Sequence, residues 1–347
     1  MIFVDYLLVA AVIGLIIMWW LKRRTGVILA AVLLAIFSLW AVFDYRWQGG
    51  VGGVVGLLVL VGLGIGRLRQ REPSPRPPFI TGTLVVILGV IAVIPIYLFP
   101  VADMPVPSGK HSIGVKDFAL VDDARTGIFL DGVDEPRRLL VRVWYPAETT
   151  EGYVRRPYLT ALEIKTTARS LGTALGAPFL FQYLKHVATN SYVDAPLLSG
   201  ANMLPTIIYS HGYTSYASQN TALMETLASH GYVVYSVQHS YDAADTVLPD
   251  GTVLPIDPDI LQSRLEGQEY EPTQDQLDAF IGNTYTARRN GTFKSLATSI
   301  EGGQRLAAIS AQVWLDDRLF VHDALASGSV PNSSSTTVIN KADGSRR

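Results

Sequence analysis

Pro205-Thr206-Ile207-Ile208-Tyr209-Ser210-His211-Gly212-Tyr213 decides how the polar half of this chain is read. Its first six residues form a short apolar, β-branched run, the pattern of a strand buried on both faces of a parallel sheet. His211-Gly212-Tyr213-Thr214 breaks that run. From Ser218 to His230 the positions Ala222, Leu223, Thr226 and Leu227 return at helical spacing, and Gly231 stands where a helix C-cap belongs. Tyr232-Val233-Val234-Tyr235-Ser236-Val237 then reads as a second buried strand. A β–loop–α–β unit of this kind predicts two parallel strands joined by a right-handed crossover.

Working outward, Leu139-Leu140-Val141-Arg142-Val143-Trp144-Tyr145 lies between Asp134-Glu135-Pro136 and Pro146, a strand bounded by turn residues, with Phe118–Val121 as its expected antiparallel partner. Tyr158 to Val187 has a loose helical pattern interrupted by Gly172, Gly176 and Pro178, and fits either a cap over a site or a surface helical pair. Phe293 to Leu325 reads as a long amphipathic helix carrying Ile300, Leu306, Ile309, Val313, Trp314, Leu319 and Phe320. The fold class expected for residues 101–330 is a partial α/β domain of three αβα layers around a mostly parallel sheet. Residues 331–347 are a polar, low-complexity tail expected to be disordered.

The first hundred residues are a different polymer. They hold 8 Lys and Arg against 3 Asp and Glu, leaving 20 against 27 for the remainder. Mean hydropathy over the chain is +0.26, and 49% of its residues are hydrophobic. Four runs free of charge, Tyr6–Leu21, Gly26–Phe43, Val51–Ile65 and Phe79–Phe99, predict a four-helix membrane bundle over residues 1–100. Val51–Ile65 is short for a span. The pairs Gly49/Gly53, Gly52/Gly56 and Gly62/Gly66 have the small-residue spacing that brings membrane helices together, so it is read as spanning, with an interfacial hairpin as the other reading. Lys22-Arg23-Arg24 and Arg67, Arg69, Arg71 and Arg76 mark the loops expected inside the cell. The expectation is a multi-pass plasma-membrane protein with its soluble domain outside and the lipid bilayer as its first partner. An acidic soluble part without a basic cluster argues against nucleic acid, and the absence of cysteine excludes thiolate chemistry and disulfides.

Three histidines, His211, His230 and His239, suggest a metal site, but their spacings of 19 and 9 residues match no motif, so no metal is expected. His230 reads as a helix-end residue and His239 as a post-strand loop residue.

Taken together, Tyr209-Ser210-His211-Gly212-Tyr213, Leu227-Ala228-Ser229-His230-Gly231-Tyr232-Val233-Val234, Gln238-His239 and Asp242 resemble the platelet-activating-factor acetylhydrolase family of α/β-hydrolases. Val141-Arg142-Val143-Trp144-Tyr145-Pro146 resembles the strand before them. The resemblance covers roughly residues 110–325. It implies a metal- and cofactor-free serine esterase acting on short or oxidised acyl chains of phospholipids through Ser, Asp and His. It also implies that His211, Gly212 and Tyr213 form the oxyanion loop, with the Tyr213 N–H as a donor. From the residues alone, His-Gly reads first as a plain strand terminator; the surrounding forty residues turn the reading toward the oxyanion loop.

The Gly-x-Ser-x-Gly elbow that holds such a nucleophile occurs nowhere in the sequence. The resembled nucleophile, acid and base histidine are therefore expected to be missing, as if the chain were truncated before its catalytic half, and the product is expected to be inactive by the family's route. The alternative is a non-catalytic membrane protein whose ectodomain binds lipid or a partner chain.

Overall fold

In a computed structural model, residues 1–68, 79–127, 135–199, 204–213, 215–257, 274–292, 305–328 and 339–340 are described. Contacts divide the chain into two units, Met1–Met104 with Phe179–Ala188, and Pro105–Pro178 with Thr189–Arg347.

The first unit is helical. Its elements are α1 (Phe3–Trp20), α2 (Arg24–Phe43), α3 (Gly50–Leu68, entered through a 3-10 turn at Trp47–Gly49) and α4 (Phe79–Leu98). Three helical segments, Phe3–Trp20, Arg24–Phe43 and Trp47–Leu68, are long and apolar enough to cross a membrane, and α4 adds the shorter apolar stretch Gly82–Leu98. Leu8, Leu15, Leu34, Val55 and Ile96 are buried between the helices. Gly56 lets α3 approach α2 closely, since a Cβ there would lie 2.8 Å from the Ala31 carbonyl oxygen. Gly52 and Gly53 face Ser38 in the same way, whereas Gly62 and Gly66 have nothing within 4 Å, so that third pair makes no such contact.

One end of this unit is polar. Arg46 and Asp5 are both fully buried and form a bidentate pair, Nε to Oδ1 at 3.0 Å and Nη2 to Oδ2 at 2.9 Å. The remaining Arg46 nitrogen Nη1 donates to the Phe99 carbonyl at 2.7 Å. Phe179–Ala188 joins the unit here. Phe179 and Phe99 pack on Trp47 with centroids 5.6 and 5.2 Å away, and Lys185 Nζ donates to Asp44 Oδ1 at 2.6 Å.

The second unit is built on a seven-stranded sheet, six strands of which follow the path β3-β4-β1-β2-β6-β5 while the seventh, Ile339–Asn340, pairs with β1 off that path; β1 is Ser112–Thr126, β2 Pro136–Ala147, β3 Arg155–Pro157, β4 Ala188–Val193, β5 Thr206–Ser210 and β6 Val233–Gln238. The parallel β5–β6 pair expected from the opening stretch is present, crossing over through α7 (Thr221–Ser229); two short helices, α5 (Ala161–Lys165) and α6 (Thr167–Thr173), come earlier, between β3 and β4. The sheet as a whole is mixed rather than mostly parallel. β1 pairs β2 antiparallel, because the connection 127–135 is too short for the crossover a parallel pair needs, and β2 pairs β6 antiparallel as well.

Alternation along β2 sorts its side chains to two faces. Leu139, Val141 and Val143 pack with Phe320 and Val321 of the long helix Arg305–Ala326. Trp144 packs with Met224, Ala228 and Val234 on the other face. Each such buried side chain contributes about 1.5–3 kcal/mol. The long helix was expected from Phe293; residues 293–304 lie outside the described residues. The expected tail at 331–347 also lies outside them, apart from Ile339–Asn340, which pairs with β1. The loose helical pattern over 158–187 resolves into α5, α6 and a 3-10 turn at Gln182–His186, and its last part belongs to the helical unit.

Candidate active site at the ends of the parallel strands

Parallel pairing puts Ser210 opposite Val237, so Ser210-His211 and Gln238-His239 emerge together at the carboxyl ends of β5 and β6, where open α/β sheets place their ligands. Antiparallel β2 runs the other way, and its first residues reach the same end. Arg137 falls on the face of Leu139 and Val141, beneath the long helix. On that helix Trp314 and Asp317 are three residues apart and share a face.

These residues form one hydrogen-bonded chain. Ser210 Oγ lies 3.0 Å from His239 Nε2, and His239 Nδ1 lies 2.9 Å from Asp317 Oδ2. Arg137 grips the same carboxylate with Nε on Oδ1 and Nη2 on Oδ2, both at 2.7 Å, and Arg125 Nη1 adds a contact to Oδ1 at 2.9 Å. Asp317 and His239 are wholly buried and Ser210 is half-buried.

Burial opposes the charge of Asp317, yet the Arg137 fork and His239 hold its carboxyl far below the usual carboxylate range. It stays ionised and accepts from Nδ1–H, which leaves the Nε2 lone pair facing the Ser210 hydroxyl. Burial lowers the pKa of His239 and outweighs the pull of Asp317, so the ring is neutral at pH 7. His211 is held neutral too, its pKa lowered to about 3 by burial and by His239. Its Nδ1 donates to the Gly212 carbonyl at 2.8 Å, and its Nε2 accepts the His239 backbone N–H at 3.3 Å.

Trp314 roofs the pair of rings. It stacks on His239 at 4.1 Å and 10° and meets His211 edge-on at 4.9 Å. Its Nε1 donates to Asp242 Oδ2 at 2.5 Å. Burial raises the Asp242 carboxyl to about 7 against the pull of Arg137 and Trp314, and its Oδ1 finds no hydrogen-bond partner among the described residues. Tyr241 turns the chain just before it in a left-handed conformation, φ 75°, a strain of about 1–3 kcal/mol held by packing on Leu140, Leu248 and Leu254.

His211, Gly212 and Tyr213, for which the family resemblance implies an oxyanion role, lie at this strand end. His211 is 3% exposed and Tyr213 40%, with the Tyr213 ring 6.0 Å from Trp314. The Gly212 N–H donates to Gln219 Oε1 at 2.9 Å. A glycine is not demanded there by space, since a Cβ at 212 would make ordinary contact with Gln219 at 3.4 Å. His230 caps α7 and hydrogen-bonds Ser108, and takes no part in this cluster. His239, read from sequence as a loop residue, is instead the centre of it. Arg137, Trp314 and Asp317 were missed as site residues. The available signal was an arginine in phase with Leu139, Val141 and Val143, a buried strand position that demands an acid from the covering helix.

Residues 98–249 match the family described as platelet-activating factor acetylhydrolase, isoform II. The match covers 152 of the 347 residues and lies mostly in the sheet-bearing unit. Among solved structures, a ferulic acid esterase from Streptomyces cinnamoneus is similar at 26% identity, over 46% of this chain and 42% of its own, with a TM-score of 0.37. The chain thus spans less than half the length of that esterase. No curated protein matches it. The matched residues include Ser210, His211, His239 and Asp242 and stop short of Trp314 and Asp317.

Proposed function

We propose that the chain is a membrane-anchored carboxylic ester hydrolase of the platelet-activating-factor acetylhydrolase kind, taking short or oxidised phospholipid acyl esters beside the bilayer. The observation that carries this reading is the family match over 98–249, with the His-Gly loop at the carboxyl end of a parallel strand. In this reading residues 101–330 form the three-layer hydrolase domain, and the Tyr213 N–H stabilises the oxyanion. Residues 1–100 anchor it through four spans, α4 being the fourth. The basic loops at Lys22–Arg24 and Arg67–Arg76 face the cytoplasm, so the domain lies outside the plasma membrane.

The Gly-x-Ser-x-Gly elbow is not among the 347 residues, so the family's own nucleophile is not available to them. That observation favours a second reading, a non-catalytic membrane protein that binds lipid esters or a partner chain.

With the full chain in nanodiscs, saturable binding of a short-acyl phosphatidylcholine, and none of its ether-linked analogue, is expected. Equal binding of both lipids, or of neither, would overturn the ester reading. The cysteine-free sequence makes topology directly measurable. A lone thiol at Glu151→Cys should react with a membrane-impermeant maleimide on intact cells, and one at Thr25→Cys should not; the reverse pattern would invert the orientation.

A further inference from the structure

We propose that Ser210 is itself a nucleophile, activated by His239 and oriented through it by Asp317, and that it attacks short-chain carboxylic esters. The inference rests on the ester-hydrolase reading and adds to it a reacting atom that the family's elbow motif does not supply. A nucleophilic hydroxyl is identified by geometry: a base within hydrogen-bond reach, and a third group fixing the base. Ser210 Oγ, His239 Nε2 and Nδ1, and Asp317 Oδ2 meet that condition at 3.0 and 2.9 Å.

Three further observations separate this serine from a plain buried hydrogen bond. Among the described residues β5 ends the sheet path, and Ser210 is the half-exposed member of an otherwise buried chain. The imidazole stacks flat on Trp314, which holds its plane while Nε2 points at Oγ. Two other serine pairings in the chain lack one part each. Ser218 Oγ accepts from the Arg142 guanidinium, which draws electron density from the oxygen. Ser108 Oγ lies 3.1 Å from His230 Nε2, but no carboxylate holds that ring among the described residues.

In the reaction the Ser210 Oγ–C bond forms as the hydroxyl proton passes to His239 Nε2. Collapse of the tetrahedral adduct breaks the ester C–O bond, and the same proton leaves with the alcohol. Water then attacks the acyl-Ser210 carbonyl, giving a proton to Nε2 that returns to Oγ as the carboxylic acid departs. Asp317 keeps its charge throughout.

The test uses the full chain in nanodiscs and a fluorophosphonate probe, with the modified residue located by mass spectrometry. Labelling of Ser210 is expected, absent in Ser210→Ala and slowed by about a hundredfold or more in His239→Gln. His239→Gln removes a buried partner of Asp317 and tests folding as well as reactivity, so Ser210→Cys, as the only thiol in the protein, provides a second measurement. Its alkylation at pH 6 should exceed that of Ser108→Cys by at least about tenfold, since imidazole pairing lowers a thiol's pKa from its usual ~8.5 and, of the two paired rings, only that of His239 is held by a carboxylate that stabilises the imidazolium. Folded protein with Ser210 unlabelled, or a Ser210→Cys thiol titrating like the Ser108→Cys control, overturns the proposal. Ester binding that persists alongside an unlabelled Ser210 removes this inference alone, whereas loss of ester binding removes the hydrolase reading with it.

Discussion

Two buried arginine clusters flank the same strand, and they end differently. Arg142 sends Nε and Nη2 to Asp117 at 2.7 and 2.9 Å and Nη2 to Glu163 at 2.8 Å, while Arg156 reaches Asp117 at 2.9 Å. Two cations and two carboxylates close on one another there. The Arg142 pair depresses Asp117 to about 2 in spite of its burial. Five residues earlier, on the opposite face, Arg137 grips Asp317, and that carboxylate passes its influence outward through His239 to a hydroxyl at the sheet end. Balanced charge alone makes scaffold. A neutral imidazole between the buried charge and the surface makes a site.

The largest way to break the comparison is Asp317→Asn, which strands Arg137 in the interior and should cost about 3–5 kcal/mol in denaturant unfolding. Glu163→Gln should cost less, about 1.5–3 kcal/mol, because Asp117 still compensates Arg142. Equal losses would mean that the two clusters are the same kind of object.

Titration sharpens the contrast. Asp117 and Asp317 have folded pKa values below their unfolded ones, so both clusters contribute stability above about pH 4 that is lost as pH falls. Asp242 has the opposite sign. With its folded value near 7 against an unfolded value near 4, stability declines as pH rises from about 4 to 7. Asp242→Asn should therefore be more stable than the parent at pH 8 by up to about 4 kcal/mol, at ~1.4 kcal/mol per pH unit, and indistinguishable from it at pH 4. A gain at both pH values would show that the effect is packing. The smallest expected change is Thr160→Ala, which removes the cap that sets Glu163 through a reciprocal pair of hydrogen bonds and should cost about 1 kcal/mol.

The parallel pair and its helix were readable because Ile207, Ile208, Val233 and Val234 form unbroken apolar runs. β1 was read only at Phe118–Val121, yet it extends from Ser112 to Thr126. Asp117 and Asp122 break its apolar pattern, and both are strand residues paired to arginines that lie far off in sequence or around a bend. The Ser210–His239–Asp317 chain was hidden for the same reason: its members are 29 and 78 residues apart, and no local period connects them. The helical reading of 158–187 failed at its last ten residues because Phe179, Leu180 and Lys185 answer to Trp47 and Asp44, more than 130 positions away.

That ten-residue excursion also governs how the protein can be taken apart. The chain leaves the helical unit after Met104, returns to it at Phe179 and leaves again after Ala188. A protease that cuts once at Pro105 therefore severs one of three crossings and releases nothing. The sheet-bearing fragment stays moored by an aromatic and ionic plug within its own Phe179–Ala188 segment, with Phe179 against Trp47 and Lys185 on Asp44. Shedding it requires detergent or salt to draw that plug, or a second and third cut on either side of it.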